Sequence, residues 1–358
     1  PSGVWIMAYT TIDDPTAFFQ CKLYTGTGSS HAISLDGPTD MQPDMVWWKE
    51  RTSTDYHTIV DSVRGATKRI FANVDEAADT NAESLKSFQS NGFTMGTNTG
   101  ANDDNQTYVA WNWKAGTSFT NDASSTSVGS IDSAGSASDI SGFSIVSFTG
   151  TGSNGTIKHG LSTAPNLFII KRLDADNDFR VGSSVLTNFV KHINLNTDAA
   201  ESNLAVAFNS TGPTTSVFSV GTSISVNADA GTYIAYCFSS IKGYSKIGSY
   251  TGNGNADGTF VYTGFKPAFV ITKRITDGNE SWHIFDNKRN PFNIVNKRLQ
   301  ANSNGAEDTA APLGDFTAGG FKIRGTGGGI NVSGKNFIYM AFAENPFVTS
   351  TGVPATAR

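Results

Sequence analysis

The sequence predicts an all-β protein built from three tandem antiparallel β-sandwich or jelly-roll-like repeats. One apolar run recurs three times, as Tyr108-Val-Ala-Trp-Asn-Trp113, Tyr233-Ile-Ala-Tyr-Cys-Phe238 and Phe337-Ile-Tyr-Met-Ala-Phe342. A glycine turn recurs with it, as Tyr24-Thr-Gly-Thr-Gly28, Phe148-Thr-Gly-Thr-Gly152 and Tyr250-Thr-Gly-Asn-Gly254. The composition agrees: 37 Gly with abundant Ser, Thr and Asn favours short strands joined by many turns.

Further landmarks keep the register. Pro43-Asp-Met-Val-Trp-Trp-Lys49, Pro165-Asn-Leu-Phe-Ile-Ile-Lys171 and Pro267-Ala-Phe-Val-Ile-Thr-Lys273 correspond, and Phe93, Phe218 and Phe321 each open a later strand. The first step of the repeat exceeds the second by some twenty residues, so an inserted linker separates the first two repeats. Steps this long denote small domains rather than solenoid turns of about 20 to 50 residues. The division is an N-terminal segment at 1–17, repeats at 18–116, 142–243 and 244–347, a Ser/Gly/Ala-rich linker at 117–141 and a polar tail at 348–358.

Within the first repeat, Met45-Val-Trp-Trp48 and Thr58-Ile-Val60 read as strands, and Asn91-Gly92 signals a hairpin or bulge before Phe93. Glu76 to Phe88 is the only stretch with helical character, and its apolar spacing suits a single turn or an irregular loop equally well. The linker is either a surface-bound connection or a short added strand. In Tyr233–Phe238 odd and even positions are both apolar, which predicts a central strand covered on both faces.

Only 16% of residues are charged, and 24 Phe, 10 Tyr and 6 Trp can furnish cores. A net charge of −5 offers no broad basic surface, so nucleic acid is not an expected partner. No run is long enough for a membrane helix, and there is no basic start followed by an apolar core, so action outside a cell implies export without a cleaved signal. Pro1 to Ile6 precede Met7, a candidate initiator. Cys21 and Cys237 form no metal-ligand spacing, and Cys237 reads as a small buried hydrophobe.

Other motifs resolve into structure. Gly150-Thr-Gly-Ser-Asn-Gly155 matches a dinucleotide fingerprint but lacks the following helix that would hold a pyrophosphate, and its counterparts at Gly26 and Gly252 mark an architectural turn. His31, His57, His159, His192 and His283 share no ligand spacing, so no catalytic metal and no cofactor are expected. Asp174-Ala-Asp-Asn-Asp178 is rich in oxygens, which leaves weak calcium binding as the one cation candidate, although the glycine and distant glutamate of a complete calcium loop are missing. The Asn-x-Ser/Thr triplets at Asn105, Asn154, Asn209, Asn279 and Asn331 read as polar turns.

Lys49, Lys171 and Lys273 recur at the end of one strand, as edge-capping lysines that snorkel to water or as contacts for an anionic sugar or a carboxylate. His57 and His283 occupy similar places, with Arg180 in the second repeat, which favours aromatic packing over shared chemistry. Trp47, Trp48 and Trp282 read as exposed aromatics. The candidate binding residues are therefore Trp47, Lys49, Lys171, Lys273, Trp282 and His283.

Met7-Ala-Tyr-Thr-Thr-Ile-Asp-Asp-Pro15, Gly243-Tyr-Ser-Lys-Ile-Gly-Ser-Tyr-Thr-Gly-Asn-Gly254, Tyr339-Met-Ala-Phe-Ala-Glu-Asn-Pro-Phe347 and Val353-Pro-Ala-Thr-Ala-Arg358 together resemble a widespread group of tailed-bacteriophage structural proteins, common in marine phages. The resemblance implies a non-enzymatic virion component on the outer surface or tail, a tail-fibre attachment module or a capsid decoration. Its partners would be other virion proteins and, as a further candidate, a host-surface glycan. Strands apolar on both faces need cover and the tail can reach a neighbour, which predicts an oligomer, and the phage resemblance implies that it is a homotrimer. The alternatives are a free carbohydrate-binding lectin and a glycan-degrading enzyme, the last requiring a carboxylate pair that the repeats do not supply.

Overall fold

A computed structural model describes residues 8–203 and 205–356, so Met7 and the residues before it lie outside the described part. The protein is all-β, with strands that follow the β-branched and aromatic runs. The first stretch forms β1 (Phe19–Thr25), β2 (His31–Ser34), β3 (Met45–Glu50), β4 (Thr58–Asp61), β5 (Lys68–Phe71), β6 (Asp79–Thr80), β7 (Leu85–Gln89), β8 (Gly92–Met95) and β9 (Thr107–Trp113). The segment 117–141 adds β10 (Thr117–Asn121) and β11 (Ser133–Ser138). Next come β12 (Phe143–Thr149), β13 (Gly155–Lys158), β14 (Leu167–Arg172), β15 (Arg180–Ser183), β16 (Lys191–Asn194), β17 (Ser202–Asn203), β18 (Val217–Val220) and β19 (Thr232–Phe238). The last stretch forms β20 (Ser245–Thr251), β21 (Phe260–Tyr262), β22 (Phe265–Arg274), β23 (His283–Asp286), β24 (Leu299–Gln300), β25 (Gly314–Thr317), β26 (Gly320–Ile323) and β27 (Asn336–Pro346). Residues 76–88 contain β6 and part of β7 and no helical turn; Leu85 is drawn into a core by pairing with Met95.

The large sheets share one antiparallel strand order: β1-β9-β3-β4-β5, β12-β19-β14-β15-β16 and β20-β27-β22-β23-β24. Their registers also agree, since Met45 faces Trp113 and Asp61, Leu167 faces Phe238 and Ser183, and Phe269 faces Phe342 and Asp286. Pro43 and Pro165 stand two residues before these positions, outside β3 and β14. Pro267 stands equally far before Phe269 but within β22, where two register shifts accommodate its missing N–H. Strands β11 and β10 extend the second large sheet at its β12 edge, so the segment 117–141 is part of the fold.

Each large sheet has two apolar faces with two different covers. One face packs on a small sheet: Tyr108 and Ala110 against Phe93 and Ile33, Tyr233 and Ala235 against Phe218 and Ile157, Phe337 and Tyr339 against Phe321 and Val261. The other faces meet in one common core that gathers Trp111 and Trp113, Tyr236 and Phe238, and Met340 and Phe342 with their neighbours. Alternation along β9, β19 and β27 sends odd and even residues to different cores, which is why these strands read as continuously apolar. The cover that such strands require comes from within one chain.

Equivalent backbone hydrogen bonds, one at each joint, help to close the sheets into a ring. Ala78 N–H donates to Leu173 O at 2.9 Å, Glu201 N–H to Ile275 O at 3.0 Å, and Glu307 N–H to Arg51 O at 2.8 Å. First joins second, second joins third, and third joins first. The last joint adds a bidentate pair of Arg51 with Glu307, 2.9 Å in each arm. The tail folds back on its own chain, Ser350 N–H donating to Asp13 Oδ1 at 2.6 Å.

The glycine turns are held by three equivalent buried asparagines. The Oδ1 atoms of Asn102, Asn227 and Asn331 accept from the N–H of Thr27, Thr151 and Asn253 at 2.9, 2.8 and 2.9 Å. Their Nδ2 groups donate to Gly96 O, Gly221 O and Gly325 O, and again to Ser29 O, Ser153 O and Asn255 O. A Cβ on Gly26, Gly150 or Gly252 would overlap a backbone carbonyl, and Gly28, Gly152 and Gly254 have φ of 63°, 69° and 70°. The spacing of the dinucleotide-like motif is thus the spacing of a clamped turn. Replacing any one of these asparagines with Ala leaves buried donors and acceptors unmatched and should cost about 2–4 kcal/mol. Urea unfolding should show comparable losses for N102A, N227A and N331A, and a change under about 0.5 kcal/mol for exposed Asn304→Ala.

Candidate functional site

The three recurring lysines lie on the common-core side of β3, β14 and β22, in phase with Met45 and Trp47, Leu167 and Ile169, Phe269 and Ile271. All three are fully buried in interior strands, so the edge-capping, snorkelling role expected of them is not what the structure shows. Each ammonium instead donates to a backbone carbonyl of the loop that follows its strand. Lys49 Nζ donates to Glu50 O and to Ser53 O at 2.8 Å, Lys171 Nζ to Asn177 O at 2.7 Å and to Asp75 O of the first sheet at 2.8 Å, and Lys273 Nζ to Glu280 O. Burial pushes all three down to about 8. The ring-closing acceptors Arg51, Leu173 and Ile275 follow these lysines by two residues, so the lysines shape the loops through which the sheets join.

The aromatic candidates are also interior. Trp47, Trp48 and Trp282 are buried, which corrects their reading as exposed: β3 has a core on each face, and Trp282 reaches the common core. Trp47 Nε1 donates to His57 Nδ1 at 3.1 Å, and Trp282 Nε1 to Asn194 O at 2.8 Å. The structural counterpart of His57 is Trp282, not His283. The N–H groups of His57, Phe179 and Trp282 donate to Asn73, Asn196 and Asn302 Oδ1 at 2.8, 3.0 and 2.8 Å, whereas His283 aligns with Thr58 and Arg180. A shift of one residue places His57 and His283 on opposite faces of their sheets.

The acidic loop 174–178 is engaged within the protein: Asp174 pairs with Arg172, Asp176 accepts from Ala77 N–H, and Asp178 accepts from Asn194 and Asn196. Among the described residues no group of three or more His, Cys, Asp or Glu is placed to hold a metal ion. Glu50, desolvated and hydrogen-bonded to Asp55, is pushed up to about 7, but it is buried beside Thr52. Two carboxyls in direct contact leave no room for a sugar bond, which needs them about 5 to 9.5 Å apart.

Two accessible features of the described residues stand out beside open clefts of about 700 and 520 Å³ along the edge of the second large sheet. A cleft of about 570 Å³ lies at the joint of the first and third sheets, with Phe19, Cys21, Ala268 and Ala343 on its floor and the Lys266–Glu344 pair and Lys288–Asp36 pair beside it. The second feature is a set of half-exposed rings on β21 and its surroundings, Phe260, Tyr262 and Phe347. None of these three rings is among the candidate residues that the sequence motifs single out. The signal was present in the repeat itself, because Phe260-Val-Tyr262 occupies the place of Ala32-Ile-Ser34 and Thr156-Ile-Lys158.

Comparison with known proteins adds one family. A domain of unknown function, DUF7483, matches residues 14–346. The chain belongs to that family. No curated protein and no solved structure matches the chain. The family match spans all three large sheets, so the ring of sheets lies wholly within one family unit.

Replacing Lys171 with Ala removes the donor to two part-buried carbonyls at the joint of the first and second sheets, and should cost about 1–3 kcal/mol in urea unfolding. The buried imidazoles predict an acid response. Burial holds His57 and His159 below the usual range, His192 down to about 4 and His283 down to about 3. Between those values and about 6.5 the unfolded chain binds protons that the fold refuses, so stability falls on acidification, by up to about 1.4 kcal/mol per pH unit for each such histidine. Glu50, raised, pulls the opposite way between about 4.5 and 7 and offsets one of them. The urea midpoint should therefore drop from pH 6.5 to pH 5, and His283→Gln should flatten that slope.

Proposed function

We propose that the chain is a non-enzymatic structural protein of a tailed-phage particle, displayed on its outside as a tail-fibre attachment module or a capsid decoration, and that it consists of three tandem β-sandwich modules. The observation that carries this reading is how its reactive side chains are used. Lys49, Lys171, Lys273, His57 and Trp282 are all committed to joining sheets and loops. Such a molecule is a rigid scaffold that offers its loops and outer sheets to partners. The motif resemblance to phage structural proteins supplies the setting, and the accessible cleft and rings supply surfaces for contact.

The cyclic arrangement also bears on assembly. The expectation of an oligomer rests on two-faced strands that need cover and a tail that can reach a neighbour, and that of a threefold on the phage resemblance. Both needs are met inside the chain, by the common core and by the Ser350 contact with Asp13. We therefore take one chain as the building unit, with its copy number set by the partner on the particle.

Mass spectrometry of gradient-purified particles, followed by imaging at sub-nanometre resolution, tests this reading. The chain should be present in multiple copies, with ring-shaped three-sheet density on the outer surface. Its absence from purified particles would refute the proposal.

A further inference from the structure

Strand β21 alternates outward Phe260, inward Val261 and outward Tyr262, with relative exposures of 49%, 5% and 51%. Its equivalents in the other two small sheets carry Ala32 and Ser34, or Thr156 and Lys158, around an inward isoleucine. The fold thus needs no aromatic at these outward positions. In the second small sheet the outer face is covered, Lys158 lying over the ring of Phe119, whereas Phe260 and Tyr262 stand open.

The surroundings extend Tyr262 into a shaped surface. Tyr9 Oη and Tyr262 Oη are 3.0 Å apart, Tyr9 also donates to Gly264 O at 2.8 Å, and the ring of Tyr9 packs against Phe347 with centroids 6.0 Å apart. Gly319 lies between the rings of Tyr262 and Phe347, where a Cβ would stand 3.6 Å from each, so the gap is floored by a residue without a side chain. Lys242 Nζ sits 4.5 Å over the ring of Tyr9, and Lys246 Nζ 5.4 Å over that of Tyr262 while donating to Tyr262 O. Neither ammonium is in an ion pair among the described residues, in contrast to Lys322 beside Phe260, which holds Asp257 at 2.8 Å.

We propose that this surface binds an acidic saccharide, a uronic-acid-type sugar within a polysaccharide chain. The apolar C–H face of a pyranose stacks on aromatic rings, its hydroxyl rim matches the tyrosine hydroxyls, and its carboxylate finds the two unpaired lysines. Residues two apart on a strand stand about 7 Å apart, so successive sugars can lie over Tyr262 and Phe260. A second protein copy fits less well. Three half-exposed rings present only ~300 Å², against the roughly 800 Å² per partner of a stable protein interface. The inference deepens the attachment reading and rests on it for its biological setting alone, because the binding test uses the isolated chain.

Affinity electrophoresis of the full chain through gels containing polygalacturonate, dextran sulfate or neutral dextran examines it. With a net charge of −5 the chain is not drawn to polyanions in general, so retardation reports a local site. Polygalacturonate should retard the wild type and neutral dextran should not. The variant F260A/Y262S copies the first small sheet, so it should fold with a single cooperative thermal transition, lowered only by the loss of the rings' own half-buried contacts, while its affinity falls about tenfold. K242Q/K246Q, altered only at charges, should lose a similar factor. The proposal is overturned by absence of retardation in polygalacturonate, by equal retardation in neutral dextran, or by stronger retardation in dextran sulfate that F260A/Y262S leaves unaltered. Wild-type self-association that F260A/Y262S abolishes, without any retardation by saccharide, would overturn it in favour of a contact between copies.

Discussion

The structure depends on one constraint: three antiparallel sheets must bury one face each in a single core while burying the other face under a small sheet of their own. Strands β9, β19 and β27 bear that constraint most directly, since each supplies alternate residues to two cores. The aromatic cluster at the centre shows the result. Phe19, Trp113, Phe269 and Phe342 come from the first and third sheets and meet at centroid distances of 5.0 to 6.2 Å, with Phe238 of the second sheet 6.0 Å from Phe342. Area burial in this centre supplies most of the energy that holds the sheets together, because each sheet pays the ordering cost of its own strands regardless of its neighbours.

Polar groups trapped near that core must be matched, and the three joints solve this differently. At one joint Asp61 pairs with Arg64 at 2.6 Å and accepts from Tyr236 of the second sheet at 2.7 Å. At another, Asp286 pairs with Arg289 at 2.5 Å and accepts from Trp111 of the first sheet at 3.1 Å. The corresponding positions at the remaining joint are Ser183, Leu186 and Met340, and the last two belong to the apolar core. A buried ion pair and a well-packed apolar contact of similar size are close in net stability, which lets the two solutions coexist in one ring. What does not vary is the lysine on the strand before each joint. An ammonium can donate to several carbonyls at once, so it ties an irregular loop to the end of its strand.

The outer surface follows a different logic. Turns clamped by Asn102, Asn227 and Asn331 are equivalent in all three stretches, whereas the outward faces of the small sheets have diverged to Ala and Ser, to Thr and Lys, and to Phe and Tyr. Outward positions are free of packing demands, so their chemistry is set by what they contact in solution.

The strand runs, their register, the glycine turns and the two-sided burial of Tyr233–Phe238 were legible in the sequence, because period-two alternation and turn chemistry are local properties of the chain. Why Gly26, Gly150 and Gly252 recur was legible only in part: the turn could be read, but the asparagine that clamps it lies about 75 residues away and meets it only through pairing of the first and last large-sheet strands. The burial of Lys49, Lys171 and Lys273 and of Trp47 and Trp282 was decided by tertiary structure. A lysine at the end of a strand looks the same whether water or another sheet lies beyond it, and only the closing of the ring places a sheet there. The alignment of His57 with Trp282 rather than His283 likewise needed three dimensions, since a slip of one residue preserves composition while reversing the face. The rings of Phe260 and Tyr262 were in view throughout, but their meaning required knowing which face of β21 the core had already taken.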